Sequence, residues 1–222
     1  MTDIFTTDKK YNVIYADPPW RFATYSDKGK GRGAEKHYPT MPKREIQALP
    51  VPKISAKDSV LFLWATAPCL TEAFELIDAW GFTYKTVAFT WIKQCRKSDR
   101  LFTGLGYYTR ANAEYCLLAT RGKILERKSR SVSSVIVSHI EEHSKKPDEA
   151  RARIEALYGE VPKIELFARQ TVGGWDCWGN GKVRQTLKIQ KGRKNGKQKF
   201  QTEGTGLQGN AGYDGKAGGA VY

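Results

Sequence analysis

The chain has 222 residues, 40% of them hydrophobic, with six Trp, eleven Tyr and nine Phe, which suits one packed domain of ordinary size and a tail. A formal net charge of +14 points to a polyanionic partner, most often nucleic acid, or else to a basic surface kept for solubility. Cys69, Cys95, Cys116 and Cys177 are scattered without a CxxC pair or ligand-spaced His, so a zinc site is not expected. No apolar run approaches the roughly 20 residues of a membrane span and "MTDIFTTDKK" has no signal-peptide core; a soluble, cytoplasmic protein with reduced thiols and no membrane partner is expected.

The first apolar run, residues 13–16, reads as a strand and stops at "DPPW". A Gly-, Lys- and Arg-rich loop, residues 21–42, follows, and "PKREIQAL" predicts a short helix. Residues 60–64 ("VLFLW") form the second strand. "TEAFELIDAWG" then places Ala73, Ile77 and Trp80 on one helical face and ends at Gly81, a usual residue just past a helix end. Strands over residues 86–91 and 115–119 flank a second long loop, residues 93–113, and a short strand at 135–137 comes next. "KPDEARARIEALYG" has Pro147 in the first helical position, acids in the first turn, and Ala150, Ile154 and Leu157 on one face before Gly159. Residues 164–168 ("IELFA") form the last strand.

The strand runs are continuously apolar rather than alternating, as in strands covered on both faces. Alternating with helices, they predict an α/β fold: a mostly parallel sheet with helices on both faces and ligands at the carboxyl ends of the strands. Residues 183–222 are Gly- and Lys-rich and nearly free of aliphatics; a domain over residues 1–182 and a disordered basic tail are expected.

Asp17 at the end of the first strand accepts hydrogen bonds when ionised. Pro18 and Pro19 have no N–H, so the turn offers rigid carbonyls and no donors, beside the flat face of Trp20. Such a patch complements an aromatic ring with an exocyclic NH₂: one hydrogen to Asp17, one to a carbonyl such as that of Pro18, with Trp20 stacked on the ring. Adenine and cytosine both qualify. A tight turn with a packed Trp is the plainer reading of the same four residues.

In order along the chain, "YADPPW", "HYPTM", "LFLWAT", "WGF", "TWIK", "GYYTRANAEYCLLATRG", "HSKKPDEARARIEALYG", "KIELFAR" and "GWDCWGN" resemble the DPPW-type S-adenosylmethionine-dependent adenine-N6 methyltransferases. That family includes the catalytic subunit of the messenger-RNA N6-methyladenosine writer and bacterial and phage relatives, and the match covers roughly residues 11–181. The resemblance implies a Rossmann-like methyltransferase fold with the catalytic motif before the cofactor-binding strand, and S-adenosylmethionine as cofactor. It implies catalytic roles for Asp17, Pro18, Pro19 and Trp20. His37 and Tyr38 match a loop beside the target base, and Arg110, Asn112 and Glu114 match a second active-site loop. Residues 143–147 ("HSKKP") resemble the segment leading into the cofactor pocket, whose contacts are expected from Asp17, Arg169 and Asn180.

The chain departs from the RNA-modifying relatives at Ala113, where they carry Lys, and after Arg169, where "QTVGGWDCW" lacks their His and Asn. His37 also suits a surface loop, and Arg169 a sheet-edge cap or an ion pair. The Gly29, Gly31 and Gly33 series lacks the GK[ST] ending of a phosphate loop. The expected activity is methylation of the adenine N6 amine in DNA, in a bacterial or phage-infected cell, on a base flipped from the duplex. RNA as target, cytosine as base, a non-catalytic nucleic-acid-binding subunit, and a homo- or heterodimer remain open alternatives.

Overall fold

The computed structural model describes residues 1–20, 40–106, 108–142, 145–179 and the backbone of 184–185. Its elements are β1 (Tyr11–Ala16), α1 (Lys43–Gln47), α2 (Val51–Ile54), β2 (Ser55–Thr66), a 3₁₀ turn (Ala67–Cys69), α3 (Leu70–Ala79), β3 (Thr83–Gln94), β4 (Glu114–Arg121), β5 (Val135–His139), α4 (Asp148–Tyr158), β6 (Lys163–Leu166), β7 (Gln170–Thr171), β8 (Asp176–Trp178) and β9 (Arg184–Gln185). Seven strands form one sheet in the order β5-β3-β4-β2-β1-β6-β8, and β7 pairs with β9 apart from it. Every pairing in the large sheet is parallel except those of β4, which runs opposite to β2 and β3 on either side. This is the mostly parallel sheet with helices of a Rossmann-like methyltransferase fold. Among the described residues the β3–β4 connection contains no helix; a strand that returns without a crossover helix lies antiparallel to its predecessor.

Successive side chains of a strand point to opposite faces, so a continuously apolar run feeds two cores at once. Leu61, Leu63 and Ala65 of β2 join Ile14 and Ala16 of β1 on one face. There they meet Ala73, Leu76 and Ile77 of α3, Ile46 of α1, and Val51 and Ile54 of α2. Val60, Phe62 and Trp64 join Val13, Tyr15, Phe89 and Trp91 on the other face, under Ala150, Ile154 and Tyr158 of α4. Each such buried Val, Leu, Ile or Phe side chain contributes about 1.5–3 kcal/mol relative to exposure, which is why α3 and α4 take the positions their apolar stripes dictate.

The stop of α3 is the expected one. Gly81 has φ +74°, its N–H donates to the Asp78 carbonyl at 2.9 Å, and the Phe82 N–H donates to the Ile77 carbonyl at 3.0 Å. This crossed pair closes the helix in a left-handed turn that favours glycine. Pro147 sits one residue earlier than expected, as the cap, and α4 begins at Asp148. The last expected strand, residues 164–168, ends at Leu166 because Phe167 turns into the left-handed region at φ +62°. Cys69 and Cys116 are buried thiols, and all four cysteines are free. Among the described residues no helix is long and apolar enough to cross a membrane.

Candidate active site

β1 delivers Asp17 to the carboxyl edge of the sheet directly after Ala16, whose partners are Leu63 of β2 and Leu166 of β6. Pro18 and Pro19 then end the ladder, since neither has an N–H to give. The Trp20 N–H donates to the Pro18 carbonyl at 2.8 Å, and the Met41 N–H donates to the Pro19 carbonyl at 3.1 Å. A carbonyl has two lone pairs, so the Pro18 oxygen keeps acceptor capacity beyond its bond to Trp20. The Trp20 ring is 7% exposed, packs with the core under β1 and β2, and donates its indole N–H to the Trp64 carbonyl at 3.0 Å. It holds the turn against the sheet.

Because β4 is antiparallel, its first residue rather than its last reaches this edge. Glu114 pairs in register with Thr66 of β2 and Trp91 of β3. Lys146, just ahead of α4, places its Nζ 2.8 Å from Asp17 and 3.2 Å from Glu114. Lys93 of β3 reaches the other oxygen of Glu114 at 2.5 Å. Carboxylate and ammonium thus alternate in one row, Asp17–Lys146–Glu114–Lys93, with aromatic rings alongside: Lys146 lies 5.8 Å from the Trp64 ring centre and Lys93 5.2 Å from that of Trp91.

The row balances burial against attraction. Lys146 is only 10% exposed. Burial disfavours its charge, but Asp17 and Glu114 outweigh that and raise its pKa above the ordinary lysine value. For Glu114, burial is likewise outweighed by Lys146 and Lys93, which hold its carboxyl below the usual range. Asp17 goes the other way: burial raises its carboxyl above the ordinary value, against the pull of Lys146, with Glu114 adding to the rise. A carboxylate has about four acceptor positions, so the ammonium leaves Asp17 room for a second donor.

Behind this row, Arg151 of α4 donates to both oxygens of Glu165 on β6 at 3.1 Å and also bonds Asp148. Burial pushes the Glu165 carboxyl up to about 7 despite Arg151, and Asp17 contributes to the rise. Tyr15, in register beside Glu165, accepts the Trp64 indole N–H at 2.7 Å.

The other expected site residues fall in four groups. Arg169 is exposed past the turn at Phe167, and its charge pulls the Asp17 carboxyl downward. Asn112 spends its amide on the backbone: its Oδ1 accepts the Lys93 N–H at 2.9 Å, and its Nδ2 donates to the carbonyls of Lys93 at 2.9 Å and Phe102 at 2.6 Å. Arg110 is exposed on the loop between β3 and β4. His37, Tyr38, Asn180 and the His143 end of "HSKKP" lie outside the described residues. Lys146 and Lys93 lie in the motif segments "HSKKP" and "TWIK", and neither residue had an expected role. The signal for Lys93 was a lysine directly after the aromatic and aliphatic run "TWI", where a strand meets its carboxyl edge.

Residues 11–181 match the MT-A70 family model. The chain is 38% identical over 187 residues to the type II methyltransferase M.MunI of Mycoplasma sp, covering 77% of each. It is 32% identical over 175 residues to an N(6)-adenosine-methyltransferase MT-A70-like protein of Arabidopsis thaliana, covering 77% of this chain and 23% of that one. Against the human N(6)-adenosine-methyltransferase catalytic subunit METTL3 the identity is 30% over 161 residues, covering 72% and 26%. The chain therefore spans about a quarter of the length of these eukaryotic relatives. With the family match running from the first strand past the last strand of the large sheet, and the motif carboxylate at its carboxyl edge, the chain belongs to the MT-A70 family of S-adenosylmethionine-dependent adenine-N6 methyltransferases.

Proposed function

We propose that this protein methylates the exocyclic N6 amine of adenine in DNA at specific sites. The observation that carries the reading is the half-buried Asp17 carboxylate, held by Lys146 at 2.8 Å beside a turn that presents carbonyls. Support for DNA comes from the 38% identity to a type II methyltransferase over 77% of both chains.

The chemistry of this edge fits the cofactor. A carboxylate and an ammonium side by side match the cationic sulfonium and the carboxylate that S-adenosylmethionine carries, and Asp17, Arg169 and Asn180 would hold it. When bound, it supplies an electrophilic methyl group. Asp17 and the Pro18 carbonyl accept the two hydrogens of the target amine, which fixes the amine plane and turns its lone pair toward the methyl donor. Drawing both hydrogens toward fixed acceptors also favours the positive charge that builds on nitrogen as the new bond forms. Lys146 keeps Asp17 in its accepting form and orientation, and Glu114 and Lys93 hold Lys146. Trp20 anchors the turn through Trp64. His37, Tyr38 and Arg110 are assigned to the nucleic acid, and Asn112 to shaping the loop that carries Arg110.

The test is incorporation of radiolabelled methyl from S-adenosylmethionine into a mixture of DNA and RNA, followed by nucleoside analysis. N6-methyldeoxyadenosine is expected. Label confined to RNA, or found on cytosine, overturns the proposal.

A further inference from the structure

Residues 95–111 leave the catalytic edge from β3 and return to it at β4. Their base is built into the fold. The Phe102 N–H donates to the Lys93 carbonyl at 2.9 Å and the Gly104 N–H to the Ala111 carbonyl at 2.7 Å. Asn112 ties Lys93 to Phe102 from one side. His139 at the end of β5 braces the other, with Nδ1 at 2.7 Å from the Cys95 carbonyl and Nε2 at 3.3 Å from Asp99. Gly106 lies close to Thr109: a Cβ on it would come 1.7 Å from the Thr109 carbonyl oxygen.

This braced loop displays apolar side chains to water. Leu101 is 62% exposed, Leu105 63% and Tyr108 93%. Singly exposed apolar residues are ordinary, but these three share one loop with the exposed cations Arg96, Lys97, Arg100 and Arg110, against the single acid Asp99. Apolar groups and cations displayed on one loop suit a partner with charged strands outside and flat apolar surfaces inside. Asp17 lies at the sheet edge from which the loop springs, 23% exposed, so a paired adenine reaches it only by leaving the duplex. The base stack it leaves needs a replacement, and apolar wedges between base steps serve that end in other duplex-distorting proteins.

We infer that the loop at residues 95–111 is a wedge for duplex DNA: Leu105 and Tyr108 enter the stack beside the target adenine while Arg96, Lys97, Arg100 and Arg110 hold the flanking phosphates. The inference rests on the DNA reading above.

The experiment uses the full chain with Leu105→Ser and Tyr108→Ala combined. Two oligonucleotide duplexes carry a site mapped on plasmid DNA methylated by the wild type: one fully paired, one with an abasic position opposite the target adenine, where the base is already unpaired. The expected result is a fall of tenfold or more in kcat/KM on the paired duplex and less than twofold on the abasic one. An equal fall on both, or no fall on either, overturns the wedge. A change in oligomeric state of the variant by sedimentation also overturns it, showing an interface between copies instead. Wild-type protein that labels only RNA sinks the DNA reading; DNA methylation indifferent to the loop sinks the wedge alone.

Discussion

The role proposed for Asp17 pulls on its protonation in opposite directions: the carboxylate is half-buried, and as proposed it accepts a hydrogen from a neutral amine. Lys146 reconciles them by pairing with the carboxylate while leaving acceptor positions open. Asp17→Asn keeps the volume but presents an NH₂ toward the amine, so methyl transfer is expected to vanish with the thermal transition still cooperative. Methyl incorporation alongside a circular-dichroism melt checks this, and substantial turnover by the folded variant would remove Asp17 from its role. Lys146→Met leaves Asp17 and Glu114 facing each other without their shared cation. Breaking a buried pair from one side costs about 3–5 kcal/mol, and like charges this close raise a carboxyl pKa. The acid limb of the kcat–pH profile is then expected to move to higher pH, because a protonated Asp17 no longer offers a full set of acceptors. An unmoved acid limb would show that Lys146 does not set the state of Asp17.

At the scale of elements, the site depends on what binds strands, helix and loop together. Asn112 joins the end of β3 to the loop at Phe102 with three hydrogen bonds. At about 1 kcal/mol each, Asn112→Ala should destabilise the protein by roughly 2–3 kcal/mol and speed amide exchange in residues 95–111 more than in β1. Uniform exchange throughout would mean that Asn112 does not govern the loop. Arg151 and Glu165 clamp α4 to β6, and the raised Glu165 carboxyl gives that clamp a pH dependence. Between the ordinary value of 4.5 and about 7 the folded state holds a proton that the unfolded state has released. Stability contributed by that proton is full below pH 4.5 and is lost as pH rises through about 7, on the order of 3 kcal/mol over the window. Glu165→Gln should flatten this decline in a series of melts from pH 4.5 to 7.5. A decline of the same size in the variant would assign it to another group.

Over the whole molecule, a net charge of +14 favours a polyanion and makes its binding salt-dependent. Residues 182–222 carry nine Lys or Arg against two acids, and we propose that this segment serves affinity and not chemistry. Each phosphate neutralised on duplex DNA contributes about 0.9 to the slope of log affinity against log salt. If three contacts come from the segment, deleting residues 183–222 should flatten that slope by roughly 3 and leave turnover at saturating DNA in place. Titrating full-length and shortened protein onto one duplex measures it. An unchanged slope would assign the segment to a spacer or to another protein partner.

The sequence by itself determined the strand runs, the carboxylate at the end of β1, the stop of α3 at Gly81 and the family motifs. These are local matters: short continuous apolar runs, prolines without N–H, a glycine free to take positive φ. Only the tertiary structure decided that β4 runs backwards and so brings Glu114 to the edge that carries Asp17. Only it decided that Trp20 is buried under the sheet with the Trp64 carbonyl as its acceptor, and that Lys146 meets Asp17 from 129 positions along the chain. A charge's partner, and whether an aromatic face is open or covered, depend on which segments pack together. That is fixed by the shared burial of two apolar cores, and no short stretch of sequence contains it.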